Sequence, residues 1–276
     1  MASLHLGFDM GIRNLAYCLI EHDISGGYKI IAWDNVDLLE GGVSSQHAKA
    51  CRGCKTKAAW CDESNKWCNG CASGIRRKKS AVSKPTLPVL PCAANVKELR
   101  PLALTRGWDH ARTAKKDDLL GWAKLHYLMP WKPVKAKDTS LDTIFHAMSL
   151  WLTTVLPTFK VATLIRLENQ PVMKGPTMKS IQIMLYTLLN YRLRHEHEWS
   201  GRIEFVHAGT KSKKATTAVD LSGVSESEAY RNRKKTAETD VIELITKAGH
   251  MTWLEFFNGR TKKSDLADSF LMAHRG

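Results

Sequence analysis

The sequence predicts an α/β protein with a five-stranded mixed sheet flanked by helices and an insert after the third strand. Residues 1–40 contain three apolar segments separated by short, glycine-containing turns. Residues 138–276 alternate long stretches of helical periodicity with short apolar runs. Residues 41–137 differ from both, because they hold six of the seven cysteines and six of the nine prolines and have weak periodicity. We therefore expect a core formed by 1–40 and 138–276, with an insert at 41–137.

The N-terminal part of the core is expected to form three strands, at residues 4–10, 14–21 and 28–39. Residues 11–13 and 25–27 are the short turn segments between them. Because connections this short join antiparallel strands, the three strands form a meander.

The C-terminal part of the core begins with a predicted helix at about 141–155, which Pro157 ends. The elements that follow are a strand, a helix, a strand and two helices, at 162–168, 177–195, 202–207, 228–247 and 264–274. The mostly apolar run at 162–168 is typical of a central parallel strand. A meander that continues into such units describes an RNase H-like sheet, and other mixed folds fit the same order.

Within the insert, a cysteine-rich knuckle is followed by a basic linker and a short helix near 117–128. Two Cys-x-x-Cys pairs separated by thirteen residues match a four-cysteine zinc site, formed by Cys51, Cys54, Cys68 and Cys71. Cys61 and His47 are alternatives for one of these ligands. We expect one structural Zn²⁺ here. Trp60 and Trp67 either pack around the zinc or stack on bases.

The charge balance favours a polyanionic partner. Lysine and arginine number 41 against 27 acidic residues, which gives a formal charge of +14 and a pI near 9.5. Nucleic acid is favoured over an anionic membrane surface, because no apolar stretch approaches the roughly 20 residues of a membrane span. The N-terminal residues lack the features of a signal peptide, and the cysteine pairs indicate thiols rather than disulfides. We expect the protein to work in a reducing compartment inside a cell.

Four carboxylates are the candidate catalytic residues: Asp9, Glu168, Asp265 and Asp268. Asp9 and Glu168 each end an apolar strand, and if those strands are parallel neighbours the two side chains lie side by side. Asp265 and Asp268 are three residues apart at the start of a helix, so both project from one face. Carboxylate oxygens select Mg²⁺ or Mn²⁺, and two such ions can support hydrolysis of a phosphodiester.

Three of the carboxylates also have a simpler interpretation. Asp9 can cap the turn into the second strand, and Glu168 can pair with Arg166 or a lysine. Asp265 can complement the dipole of its helix. Only the set of four favours catalysis.

Four segments of the core resemble the motifs of a known family. They are FDMGIRNLA at 8–16, LENQP at 167–171, MKSIQ at 178–182 and KKSDLADS at 262–269. In this order they resemble the Holliday junction resolvases of poxviruses and their mitochondrial fungal relatives, which are RuvC-like nucleases. The long cysteine-bearing insert departs from the compact poxvirus enzymes and is similar to inserts in resolvases of other giant-virus lineages.

That resemblance implies an RNase H-like nuclease in which Asp9, Glu168, Asp265 and Asp268 bind two Mg²⁺ ions. It implies that a homodimer makes paired nicks in four-way DNA junctions during viral DNA recombination and replication. The site of action would then be the host cytoplasm or nucleus, where viral DNA is replicated. It also implies that one lysine of the 211–214 or 234–235 runs lies near the scissile phosphate.

Basic residues near the candidate site and in dense runs are the expected DNA contacts. They are Arg13, Lys174, Lys211, Lys213, Lys214, Arg231, Lys234 and Lys235. The run at 76–79, beside the cysteines, is a further candidate. Any one such run is usually only a solvated surface, and their combination with the carboxylates favours a DNA groove.

Two other functions fit parts of this pattern. A RuvC-like nuclease acting on flaps or transposon DNA would use the same carboxylates. A non-catalytic zinc protein that binds DNA would account for the charge and the cysteines, but not for the four acidic residues.

Overall fold

The computed structural model describes residues 2–40, 42–44, 49–54, 56–74, 85–171, 176–207 and 225–275. The chain divides into two compact units. The core unit consists of Met1–Ser45 together with Lys135–Gly276, and the inserted unit is Gln46–Val134.

The strands in chain order are β1 (Ser3–Asp9), β2 (Leu15–His22), β3 (Tyr28–Asp37), β4 (Val43–Ser44), β5 (Trp60–Cys61), β6 (Lys66–Trp67), β7 (Met129–Pro130), β8 (Leu164–Asn169) and β9 (Arg202–His207). The α-helices are α1 (Asn69–Ala72), α2 (Val96–Thr105), α3 (Lys116–His126), α4 (Leu141–Phe159), α5 (Pro176–His197), α6 (Glu226–Lys247), α7 (Met251–Asn258) and α8 (Lys263–His274).

The core unit contains a mixed sheet with the strand order β4-β3-β2-β1-β8-β9. β1, β2 and β3 form an antiparallel meander, whereas β8 is parallel to β1 and β9 is parallel to β8. The predicted mixed sheet of five strands flanked by helices is confirmed. The two-residue β4, which extends the edge beside β3, was not predicted.

Helices cover both faces of the sheet. On one face, Leu6 and Phe8 of β1 pack with Met148 of α4 and Leu185 of α5 in a buried apolar cluster. On the other face, β2 and β3 pack against α6, α7 and α8. Trp33 of β3 joins the helices of this second layer, because its indole donates a hydrogen bond to the Leu266 carbonyl, 3.1 Å away. Burial on both faces explains why β1 and β2 are largely apolar.

The prediction that Pro157 ends its helix is wrong, because α4 continues to Phe159. A proline in the last turn removes one backbone hydrogen bond. Because α4 continues past the proline, the ring of Phe159 is fully buried. It lies edge-on to Phe8 and to Tyr17, at 5.6 Å and 5.1 Å between ring centroids. Burial of an aromatic ring of this size stabilises the last turn by more than the lost hydrogen bond costs.

The inserted unit has its own small sheet, with the order β6-β5-β7, and its own apolar clusters. Part of the segment predicted as a basic linker is the helix α2, whose Leu99 and Ala103 are buried. Trp108, in the loop before α3, stacks in parallel on Trp122 of α3 at 5.9 Å between ring centroids, and this contact holds the loop against α3. Among the described residues, no helix combines the length and the apolar character that a membrane span requires.

Candidate active site

Asp9 and Glu168 lie on adjacent parallel strands at the same end of the core sheet. The register between β1 and β8 pairs Gly7 with Arg166 and Phe8 with Leu167, so the next residues on the two strands are Asp9 and Glu168. Side chains at alternate positions of a strand share a face, so these two carboxylates project to the same side as Gly7 and Arg166. Asp9 is only 8% exposed. The parallel neighbours that the sequence prediction required are present.

Helix α8 covers that same face. A Cβ atom on Gly7 would lie 2.4 Å from the Ser269 carbonyl oxygen and 2.7 Å from the Ala273 nitrogen, so the helix backbone lies directly on the strand. Arg166 reaches the helix as well, since its Nη1 donates to the Met272 carbonyl at 3.2 Å. The absence of a side chain at position 7 therefore sets the distance between α8 and β1.

The direction of α8 brings its first turns toward Asp9. The imidazole of His22 lies 3.1 Å from the Ala273 carbonyl, and His22 pairs with Ser3, at the opposite end of β1 from Asp9. The C-terminal end of α8 thus lies toward Ser3 and the N-terminal end toward Asp9. Asp265 and Asp268 are in that N-terminal part and are partly buried. The N-terminal part of α8, which carries Asp265 and Asp268, therefore lies toward the end of the sheet where Asp9 and Glu168 end their strands.

Two of the resembling motifs are joined by hydrogen bonds that position the end of β8. The side-chain oxygen of Gln182, a fully buried residue of α5, accepts from the Gln170 backbone N–H at 2.9 Å. Lys179 donates to Asn169 Oδ1 at 2.9 Å and to Gln182 Oε1 at 3.1 Å. Gln170 Nε2 donates to Glu168 Oε2 at 2.8 Å. These contacts hold the Glu168 carboxylate through α5. The two that join the end of β8 to α5, Gln170 with Gln182 and Lys179 with Asn169, were not predicted, because residues ten or more positions apart have no shared local signal.

Lys234 of α6 contacts the start of α8. Its ammonium group lies 3.3 Å from Asp265 Oδ1 and 3.1 Å from Ser264 Oγ. Burial alone would lower the pKa of Lys234, but hydrogen bonding to Tyr230 and the charge of Asp265 outweigh it and raise the pKa to about 12. Lys234 therefore stays protonated beside the carboxylates at any physiological pH.

The other predicted DNA contacts are placed differently. Arg13 forms an ion pair with the buried Asp37, at 2.7 Å between Nη1 and Oδ2. Arg231 and Lys235 of α6 are exposed. The other predicted DNA contacts lie outside the described residues, and they are Lys174, Lys211, Lys213 and Lys214. The alternative zinc ligand His47 and the basic run at 76–79 also lie outside the described residues.

Replacing Gly7 by alanine is expected to displace α8 and with it Asp265 and Asp268. The new methyl group would meet helix backbone rather than a flexible side chain, so the unfolding free energy should fall by at least about 1–3 kcal/mol. Thermal unfolding with a parallel nuclease assay measures both effects. Gly121→Ala is the control, because nothing lies within 4 Å of that position and an alanine inside α3 should stabilise slightly. Wild-type stability of Gly7→Ala would contradict the close packing of α8 on β1.

The predicted zinc ligands come together in the inserted unit. The sulfur atoms of Cys51, Cys54, Cys68 and Cys71 all lie within 4.8 Å of one another. Backbone N–H groups point at two of them, from Gly53 to Cys51 Sγ at 3.3 Å and from Cys71 to Cys68 Sγ at 3.4 Å. Such N–H···S contacts favour the thiolate form that binds a metal. The four-cysteine cluster can hold one zinc ion.

The pKa values of the thiols in this cluster are shifted in opposite directions. A hydrogen bond with the Thr56 hydroxyl is the main cause that lowers the pKa of Cys54 to about 6. Burial and the neighbouring cysteine sulfurs raise the pKa of Cys71 well above its usual range. Four sulfurs this close can all ionise only if a metal ion balances their charge. Cys61, the alternative ligand, lies in β5 and packs in a neighbouring apolar cluster of the unit.

A solved structure resembles this chain at low sequence identity. No family model matches the chain, and no curated protein matches it. The crystal structure of the yeast mitochondrial Holliday junction resolvase Ydc2 is similar with a TM-score of 0.43 and 14% sequence identity. The match covers 99% of this chain and 78% of that one. A TM-score of this size does not by itself establish a common fold.

Proposed function

We propose that this protein is a metal-dependent, structure-specific DNA endonuclease with an RNase H-like core, and that it resolves four-way junctions. The proposal is supported by the position of Asp9 and Glu168 at the ends of adjacent parallel strands, and by α8, whose N-terminal part carries Asp265 and Asp268 and lies toward the same end of the sheet. Burying a carboxylate to the extent of Asp9 is costly unless a cation or strong hydrogen bonds compensate it. The resemblance of the four core motifs to junction resolvases supports the choice of substrate.

The four carboxylates would hold two Mg²⁺ or Mn²⁺ ions. When bound, such ions supply an activated water and stabilise the leaving oxygen of the phosphodiester. The protein residues fix where this takes place. The contacts of Gln170 and of Lys234 orient the carboxylates of Glu168 and Asp265. The Lys234 ammonium group adds a positive charge that attracts the phosphate.

We also propose that the chain acts as a homodimer. Resolution of a four-way junction needs two symmetric nicks, and one chain supplies one set of the four carboxylates. A twofold dimer presents two such sets with matching geometry. Light scattering at micromolar concentration should give about twice the 31.0 kDa of one chain. Paired nicking by a strict monomer, free and on DNA, would exclude the dimer.

Incubation of the pure protein with a labelled synthetic four-way junction and Mg²⁺ tests the proposed activity. Paired nicks in opposite strands are expected, whereas linear duplex should remain intact. Single nicks in flap substrates would instead favour a nuclease with another target. Junction binding without any cleavage would favour a zinc protein that only binds DNA.

A further inference from the structure

The charge of the chain is divided very unequally between its two units. The inserted unit, Gln46–Val134, holds 18 of the 41 lysines and arginines but only 6 of the 27 acidic residues, so its formal charge is +12. The core unit holds the other 23 basic and 21 acidic residues, so its formal charge is +2. The unit that carries the candidate active site therefore contributes almost nothing to the net attraction for a polyanion.

The positive charge of the inserted unit is displayed to solvent. Six of its 18 basic residues lie outside the described residues, and ten of the other twelve are exposed. The exposed ones are Lys49, Arg52, Lys57, Lys97, Arg106, Arg112, Lys115, Lys116, Lys124 and Lys132. A fold of this size does not need such an excess for solubility, and the excess repels itself in the compact state. It is therefore suited to a partner that neutralises it.

Several basic side chains of the core unit serve internal ion pairs instead. Arg13 binds Asp37 at 2.7 Å, and Arg260 binds Asp34 at 3.2 Å. Arg275 likewise forms an ion pair with Asp240. These cations already have carboxylate partners, so they attract phosphate less than an exposed lysine does.

The knuckle surface, defined here as Arg52, Lys57, Lys66, Trp131 and Lys132, concentrates this charge beside the small sheet. The Arg52 N–H donates to the Lys66 carbonyl at 2.8 Å, which joins the first cysteine pair to β6. The Lys66 ammonium group lies 4.9 Å from the centre of the Trp131 ring, and a cation–π contact of this kind limits the motion of the lysine. The Trp131 backbone N–H donates to the carbonyl of Ala59, the residue before β5, at 2.8 Å.

We propose that the inserted unit is the module that docks double-stranded DNA and that its knuckle surface contacts the phosphate backbone. This inference rests on the proposed function for the identity of the nucleic acid. Basic side chains on a metal-bound scaffold can hold a duplex by its phosphates without reading its sequence. Affinity then comes from the inserted unit, and the chemistry comes from the core unit.

The test is a full-length variant with Arg52→Gln, Lys57→Gln, Lys66→Gln and Lys132→Gln. Its control is a variant with four exposed core residues replaced, Lys29→Gln, Lys137→Gln, Lys160→Gln and Lys247→Gln. Fluorescence anisotropy with a labelled junction and a labelled duplex, without Mg²⁺ and between about 50 and 200 mM salt, gives affinity and its salt dependence.

The knuckle variant should bind both DNAs at least about tenfold more weakly, and the slope of log affinity against log salt should fall by about 3–4 in magnitude. The core variant should change far less. The zinc content of the knuckle variant shows whether its cysteine cluster is still folded. If the variant has lost its zinc, the double variant Lys57→Gln, Lys132→Gln takes its place, because both positions lie outside the two cysteine pairs. This double variant should reduce the slope of log affinity against log salt by about 1–2 in magnitude.

Equal losses in the knuckle and core variants would overturn the inference, and so would wild-type affinity of the knuckle variant. Loss of affinity for an RNA duplex with unchanged affinity for DNA would overturn it in favour of RNA. Cleavage with Mg²⁺ is read separately. A wild-type protein that binds through the knuckle surface but never cuts leaves the docking inference in place and refutes the nuclease. If the wild-type protein cuts junctions and its knuckle variant binds DNA normally, the nuclease proposal stands and the docking inference is refuted.

Discussion

Replacing Asp9 by asparagine is expected to abolish junction cleavage while junction binding survives. The substitution keeps the size of the side chain but removes a charged oxygen ligand at the end of β1, where Asp9 is 8% exposed. Loss of a partner outside the ligand shell already costs 10–100-fold in activity or metal affinity in metal sites, so loss of a ligand should cost at least about 100-fold. Binding should be unchanged or tighter, because negative charge leaves the site while the basic surfaces remain.

Single-turnover cleavage and anisotropy on the same labelled junction separate the two effects. Glu168→Gln should behave in the same way, because β8 places Glu168 beside Asp9. Asp142→Asn, on the exposed first turn of α4, is the matched control and should cut like the wild type. Wild-type nicking by either site variant would remove that residue from the proposed metal site.

Removal of the zinc is expected to unfold the segment around the two cysteine pairs, at about residues 45–80, while leaving the core unit folded. The pure protein should contain one zinc per chain, and Cys68→Ser should lose it. Structural zinc contributes roughly 10–16 kcal/mol of apparent binding free energy to a small module. The apolar cluster beside the cysteines is small, with Trp67 and Leu128 as its largest buried side chains, so it cannot replace that contribution.

Limited proteolysis and metal analysis measure this outcome. Cuts in Cys68→Ser should concentrate between about residues 45 and 80, around the two cysteine pairs, while fragments of the core unit persist. Cys92→Ser is the control, since Cys92 lies in the neighbouring apolar cluster and outside the four-cysteine group. Freshly prepared wild type without zinc would refute the zinc site.

The local pattern of the sequence was sufficient for most elements of the core. The strand at Arg202–His207 was predicted with its observed bounds, and the start of β3 at Tyr28 was also predicted. Periodicity of this kind reports which residues of one element are buried, so it works where an element lies between a buried face and solvent. It failed for α7, Met251–Asn258, a short helix that was not predicted. It also failed at Pro157, where a contact with distant strands decided the end of the helix.

In the candidate site, too, local features were predictable from the sequence and contacts between distant elements were not. The four acidic residues and the two cysteine pairs were visible as residue types at recognisable spacings, because strand ends, helix starts and Cys-x-x-Cys turns are local features. The hydrogen bonds from Gln170 to Gln182 and from Lys234 to Asp265 were not visible, because each joins two separate parts of the chain.

By itself, then, the sequence determined most of the strands and helices of the core, which acidic residues lie at the ends of those elements, and that cysteines cluster in an insert. Only the tertiary structure decided that β8 lies beside β1 in parallel and that α8 crosses the face bearing Asp9. The role of Gly7 is also visible only in the tertiary structure, where the lack of a side chain lets the backbone of α8 lie against β1. The physical reason is that strand register and helix packing are set by side chains more than a hundred residues apart, whose mutual fit leaves no trace in either segment alone.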